Sequence, residues 1–256
     1  MEDQAGGTAR KKMKLKEFPL DVATKFNIKK IEPWSAHFLS QDEKYLAEFR
    51  AALEKARVTV VNIAVDGENS PYAANRADRK LYVDYSQRWI DIAVAIGSPS
   101  VRTNIPKATD SAPDADRAAE SLLRVVDYAA AKNILVNLEN DNPVSEDPFF
   151  LVKVIEKVNH PWLHALPDFA NTLATGREDY AYTGIAAMFA HAYGICHVKS
   201  MEAGEHDKMF TVDMEKTFGI LNHAAFKGYC SMEWDSPGDP YQGTSQLIEK
   251  TLQYLA

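Results

Sequence analysis

The stretch "DADRAAESLLRVVDYAAAKNILVNLEND", residues 114–141, decides the fold. Its first part spaces apolar residues at i, i+3, i+4 and i+7, as one face of an α-helix requires, and it opens on aspartates suited to a helix start. From Asn133 the texture changes. "NILVNLEND" is a short run of Ile, Leu and Val that ends in acid and amide side chains, the signature of a buried strand with a polar end. A helix leading directly into such a strand is one piece of an alternating α/β chain.

The alternation continues in both directions. Upstream lie the β-like runs "NIKKIEP" (27–33), "VTVVNIAVDG" (58–67) and "SPSVRTNIP" (98–106). Downstream lie "WLHALPDFAN" (162–171), "GICHVKS" (194–200) and "GYCSMEWD" (228–235). Amphipathic segments such as "QDEKYLAEFRAALEKAR" and "DRKLYVDYSQRWIDIAVAIG" separate them. Strands alternating with helices predict a parallel sheet covered by helices, and a repeat of about 30 residues suits a (β/α)8 TIM barrel of roughly 250 residues. Seven strand runs are visible. A helix is expected from Leu15 to Phe26, so a first strand would fall in the polar stretch before it; that strand is irregular or missing. The expected organisation is a polar tail over 1–13 and one barrel domain over 14–256.

Composition sets limits. Hydrophobic residues make up 46% and charged residues 25% of 256, ordinary for a globular enzyme with a large core. A net charge of -7 argues against broad binding to DNA or an anionic membrane surface. No apolar run is long enough to span a bilayer, and the N-terminus lacks the apolar stretch of a secretory signal. Cys196 and Cys230 do not make a disulfide framework. These features together fit a cytoplasmic protein, as a monomer or homo-oligomer, acting on a small molecule.

The chemistry lies at the strand ends. Glu139, Asp168, His197 and Glu233 follow one another at intervals of 29, 29 and 36 residues, each about one βα unit. They would therefore project at one rim of the sheet, where barrel active sites are assembled. Each alone reads better as a solvated strand-end acid or a satisfied histidine. Together, three carboxylates and an imidazole would repel unless a divalent cation joined them. Mn²⁺ or Mg²⁺ suits such a set, with Zn²⁺ and Co²⁺ as alternatives. Strand alternation puts Asn137, Lys199 and Ser231 on the same inward face and turns Cys196 and Cys230 toward the helices. Lys199 is either a surface lysine or a group that stabilises an oxyanion or holds a substrate hydroxyl. Glu32, Trp34 and His37 can form a sugar-stacking wall, or Trp34 can be loop core. Arg102 and Asn104 share a face and can bind a phosphate or a hydroxyl. His191 reads as a structural helix residue, and His206 faces either substrate or solvent.

In order and spacing, "IEPW", "LEN", "PDFAN", "HVKS" and "YCSMEWD" resemble the xylose isomerase-like TIM barrel superfamily of sugar phosphate isomerases and epimerases. The resemblance implies that Glu139, Asp168, His197 and Glu233 bind one divalent metal, most fittingly Mn²⁺. It also implies that Glu139 and Glu233 are the catalytic acid/base pair. A metal holding adjacent oxygens of a hydroxyketone would favour an enediolate, and two carboxylates could remove and return the proton. Where many relatives carry a histidine, this chain has Asn171, which can bind a substrate hydroxyl but cannot titrate. The activity implied is isomerisation or epimerisation of a small sugar, polyol or hydroxyketone. Alternatives are a dehydratase or lyase on a related keto-sugar, and an inactive sugar-binding barrel. An abasic-DNA endonuclease of the same barrel would need more strand-end histidines and a basic groove.

Overall fold

A computed structural model describes residues 13–204, 206, 208–234, 236 and 238–255. In chain order these form α1 (Phe18–Lys25), β1 (Lys30–Ile31), α2 (Glu43–Ala56), β2 (Thr59–Val60), β3 (Ile63–Val65), α3 (Arg76–Ile96) and β4 (Ser100–Thr103). Then follow α4 (Ala115–Ala130), β5 (Leu135–Glu139), α5 (Pro148–Val158), β6 (Leu163–Leu166), α6 (Glu178–Phe189) and β7 (Ile195–Val198). The chain closes with a hairpin of β8 (Met201–Ala203) and β9 (Met209–Thr211), then α7 (Met214–His223), β10 (Tyr229–Met232) and α8 (Pro240–Leu255).

Local chemistry sets the helix starts. Asp42, Asp114, Asp147 and Asp213 each accept hydrogen bonds from backbone N–H groups of the following first turn, which satisfies donors that the helix cannot pair itself. Gly97 ends α3 in the left-handed region (φ 76°), where a side chain would be costly. α1 begins at Phe18 rather than Leu15, because Pro19 fits only the first turn.

The barrel strands run parallel in the order β1, β2/β3, β4, β5, β6, β7, β10. β3, β4, β5 and β6 form one continuous sheet. The bridge Asp168↔His197 joins β6 to β7, and His197 pairs in register with Ser231 of β10. The run 58–67 splits into β2 and β3 around the fully buried Asn62. Its side chain turns inward to meet Glu32, Ser100 and Asn137. Two apolar clusters fill the space between sheet and helices. One lies beneath α1 to α5, and the other packs β7 and β10 against α6 to α8. Cys196 and Cys230 belong to this second layer, as the alternation predicts, with sulfurs 3.8 Å apart.

Among the described residues no strand precedes α1, and the outer edges of β1 and β10 pair with no other described strand. A first strand would fall largely on residues 1–12, which lie outside the described residues. Between those two edges is a cavity of about 730 Å³ walled by Phe18, Phe26, Ile31, Met232, Trp234 and Ile248. No helix among the described residues is long and apolar enough to cross a membrane.

Candidate metal centre

The strand-end residues meet at the C-terminal rim. Glu139 ends β5, Asp168 lies just past β6, His197 sits in β7, and Glu233 follows β10. One ligand atom from each falls within 4.8 Å of the others. His197 Nδ1 is 2.8 Å from Glu139 Oε1 and 3.0 Å from Glu233 Oε1. Its Nε2 lies 3.0 Å from both oxygens of Glu32.

Glu32 is thus the carboxylate that orients the imidazole from behind, an arrangement typical of metal-ligating histidines. Its side chain is 5% exposed and also accepts a hydrogen bond from Asn62 at 2.6 Å. With His37 it also lines the cavity of about 730 Å³ between the edges of β1 and β10. The rings of Trp34 and His37 meet edge to face at 5.2 Å, and Trp34 remains substantially exposed. The Trp34 indole donates to Asp66 at 2.5 Å.

Arg102 sits beneath Glu139. Its Nε is 2.9 Å from Glu139 Oε2, and its Nη1 pairs with Asp66. Asn104 points elsewhere, accepting from Gly67 N at 2.9 Å and donating to Gly67 O at 3.2 Å. Nε and Nη1 of Arg102 and the side-chain amide of Asn104 thus face protein partners. Lys199 turns inward with His197: its Nζ donates to Asn171 Oδ1 at 2.8 Å and lies 3.1 Å from Glu202, 3.2 Å from Glu233 and 3.7 Å from Asp168. Asn171 in turn donates to Glu139 at 3.3 Å. His191 lies just past the end of α6, not within it, and its Nε2 is 3.7 Å from Glu156. His206 is exposed, with a left-handed backbone (φ 58°).

The protonation states show a crowd of charge. Burial alone would lower the His197 pKa, but Glu139, Glu32 and Glu233 outweigh it and raise it well above the ordinary value. Burial likewise opposes ionisation of Glu233, yet His197 and Lys199 hold it below the usual carboxylate range. Burial pushes Asp168 up to about 7; Glu139 and Glu233 add to this, and Lys199 opposes it. Asp168 Oδ2 is a buried oxygen without a hydrogen-bond partner, its nearest recorded cation being Lys199 Nζ at 3.7 Å. An orphaned buried acceptor costs free energy unless a ligand supplies a partner. Facing an imidazole and two other carboxylates, it fits a divalent cation.

Sequence reading missed Glu32 as the partner of His197, and it missed Asp66 and Glu202 altogether. Asp66 ends the run "NIAVDG", so it carried the same strand-end signal as the four ligands. Glu202 had no such signal, because the β8–β9 hairpin that presents it lies outside the βα repeat.

A family described as xylose isomerase-like TIM barrel matches residues 20–256. No curated protein matches the chain in sequence. Among solved structures, a xylose isomerase domain protein from Planctomyces limnophilus shares 21% identity with a TM-score of 0.71, covering 92% of this chain and 90% of that one. D-allulose 3-epimerase from Methylomonas sp. shares 14% identity at TM-score 0.75, covering 94% and 91%. The 3-keto-D-glucoside 4-epimerase of E. coli shares 15% at TM-score 0.73, covering 96% and 97%. At these identities the likeness is one of fold.

Proposed function

The chain belongs to the xylose isomerase-like TIM barrel family, and from that premise we propose that it is a divalent-metal-dependent isomerase or epimerase of a small sugar, polyol or related hydroxyketone. The observation that carries this reading is the convergence of Glu139, Asp168, His197 and Glu233 within 4.8 Å around the orphaned Asp168 oxygen. Solved structures of similar fold include two sugar epimerases.

A bound metal would act as a Lewis acid, drawing electron density from a carbonyl and its neighbouring hydroxyl. Mn²⁺ suits the donor set best, with Mg²⁺ next. The chain's own residues do the rest. Glu139 and Glu233 are the acid/base pair that removes and returns the proton on carbon. Glu139 is deep, with a side chain only 4% exposed, and Arg102 holds it; Glu233 is 34% exposed and faces the cleft. Lys199 and Asn171 bracket the site as donors to substrate oxygens. The same proton abstraction followed by loss of a neighbouring hydroxyl would make the chain a dehydratase, which is the second reading.

The test compares Mn²⁺ binding by the wild type with a Glu139→Gln, Glu233→Gln double variant. About one tightly bound ion, lost or greatly weakened in the variant, is expected. Incubating the loaded enzyme with ketoses in D₂O should then place deuterium on the carbon beside the carbonyl. Exchange with loss of water would identify the dehydratase. No metal bound to a folded wild type would leave a sugar-binding barrel.

A further inference from the structure

The chain has two cysteines in 256 residues, and the fold brings them together. Cys196 of β7 and Cys230 of β10 are direct partners in the parallel pairing of those strands, with sulfurs 3.8 Å apart. Neighbouring strands lie about 4.8 Å apart, inside the range of about 4.4–6.8 Å between Cα atoms that a disulfide spans. Bringing the sulfurs to a bond of about 2.05 Å takes a shift of less than about 2 Å. Both thiols are free in this structure.

The two differ in access. Cys196 is fully buried, whereas Cys230 is partly exposed and lines the cavity of about 730 Å³ between the edges of β1 and β10. A small oxidant therefore meets Cys230 first, with Cys196 placed behind it as the resolving thiol. With hydrogen peroxide, the Cys230 thiol takes one oxygen to become S–OH, and the other oxygen leaves as water. The Cys196 sulfur then displaces that hydroxyl, which departs with the Cys196 proton as a second water, and the S–S bond forms. Together the two sulfurs lose two electrons and two hydrogens, and one peroxide becomes two waters. A dithiol reductant reverses the change by exchange.

What the bond does follows from where β10 sits. Among the described strands it pairs only with β7, so a single ladder holds it. That ladder sets Ser231 opposite His197, and Glu233 N donates to Val198 O at 3.0 Å. The same pairing therefore keeps Glu233 beside His197. We propose that Cys196 and Cys230 are a redox modification site: peroxide joins them in a reversible disulfide that staples the edge strand β10 to β7 and secures Glu233 at the rim. The link lies one residue before His197 and three before Glu233, on the helix-facing side, so it fixes the register without entering the site.

The experiment treats the full chain, held in EDTA, with limiting hydrogen peroxide and follows intact mass, free thiols and thermal melting. The monomer should lose the mass of two hydrogens and both free thiols. Its melting temperature should rise by about 4–16 °C, and dithiothreitol should reverse all three changes. Cys196→Ala and Cys230→Ala, used side by side in case one folds poorly, should show neither the mass loss nor the rise. Thiols that survive in the folded chain, added oxygen without a disulfide, a cross-link between two chains, or a disulfide that leaves the melting temperature unchanged each overturn the proposal. Freed of EDTA, the oxidised protein should bind Mn²⁺ about five-fold or more tightly than the reduced one. Only this last expectation rests on the metal-centred reading above. Equal Mn²⁺ affinity in the two forms overturns the securing of Glu233, whereas Mn²⁺ bound by neither form overturns the metal-centred reading and leaves the disulfide to the EDTA results.

Discussion

Arg102 joins two acids that the chain places far apart, Asp66 after β3 and Glu139 at the end of β5. Its side chain is 7% exposed and that of Glu139 is 4%. Removing one partner of a buried ion pair costs about 3–5 kcal/mol when the other charge is left uncompensated; Glu139 keeps His197 at 2.8 Å, which sets the loss here at the lower end, about 3 kcal/mol. Arg102→Met should therefore destabilise the metal-free protein by about that amount in urea denaturation. Adding Glu139→Gln should recover much of it, because the stranded charge is then gone. A double variant no more stable than Arg102→Met alone would show that packing of the long side chain, not charge, is what Arg102 contributes. At this scale the sequence was half legible. Strand-end phase identified residues that meet, since one βα unit returns each strand to the same rim. It did not show that Arg102 would meet Asp66 and Glu139. Nor could it show that Glu32 reaches His197 across 165 positions of chain, because that contact depends on how the strands close on one another.

The loops that carry the site are tied together by one buried acid. Glu146 accepts from Ile105 N at 2.5 Å and from Asn142 N at 3.0 Å, fastening the loop after β4 to the loop after β5. Burial pushes its pKa up from 4.5 to about 8 despite those two donors, with Asp141 adding to the shift. The sign follows from proton counting. Between pH 4.5 and about 8 the folded state keeps a proton that the unfolded state has released, so this group lowers stability as pH rises through that window. Glu146→Gln cannot titrate. The melting temperature of Glu146→Gln relative to wild type should therefore climb from pH 5 to pH 8.5, both measured in EDTA; a flat difference would mean that Glu146 stays ionised throughout. The elements themselves were the most legible level, since the 3.6 and 2 periodicities and the aspartate caps mark them locally. What escaped was the β8–β9 hairpin, with only three residues in each strand, and the break between β2 and β3, which follows from the inward turn of Asn62.

Across the whole molecule, the four ligands draw on both apolar layers. β5 packs in the layer under α1 to α5, whereas β7 and β10 pack against α6 to α8. A cation bound by Glu139, Asp168, His197 and Glu233 would thus connect the two layers at the rim, where the described strands leave β1 and β10 without a shared partner. An unfolded chain cannot present those four groups together, so metal binding adds directly to folding stability. At a free Mn²⁺ concentration one hundred times Kd the gain is about 2.7 kcal/mol. For a chain of this size each kcal/mol raises Tm by about 2–4 °C, so a rise of roughly 5–11 °C is expected. EDTA should reverse it, and the Glu139→Gln, Glu233→Gln protein should lack it. A similar rise in that double variant would locate the stabilising ion elsewhere on an acidic surface. A rise confined to the wild type would show that the rim holds the ion and that the ion holds the two layers together.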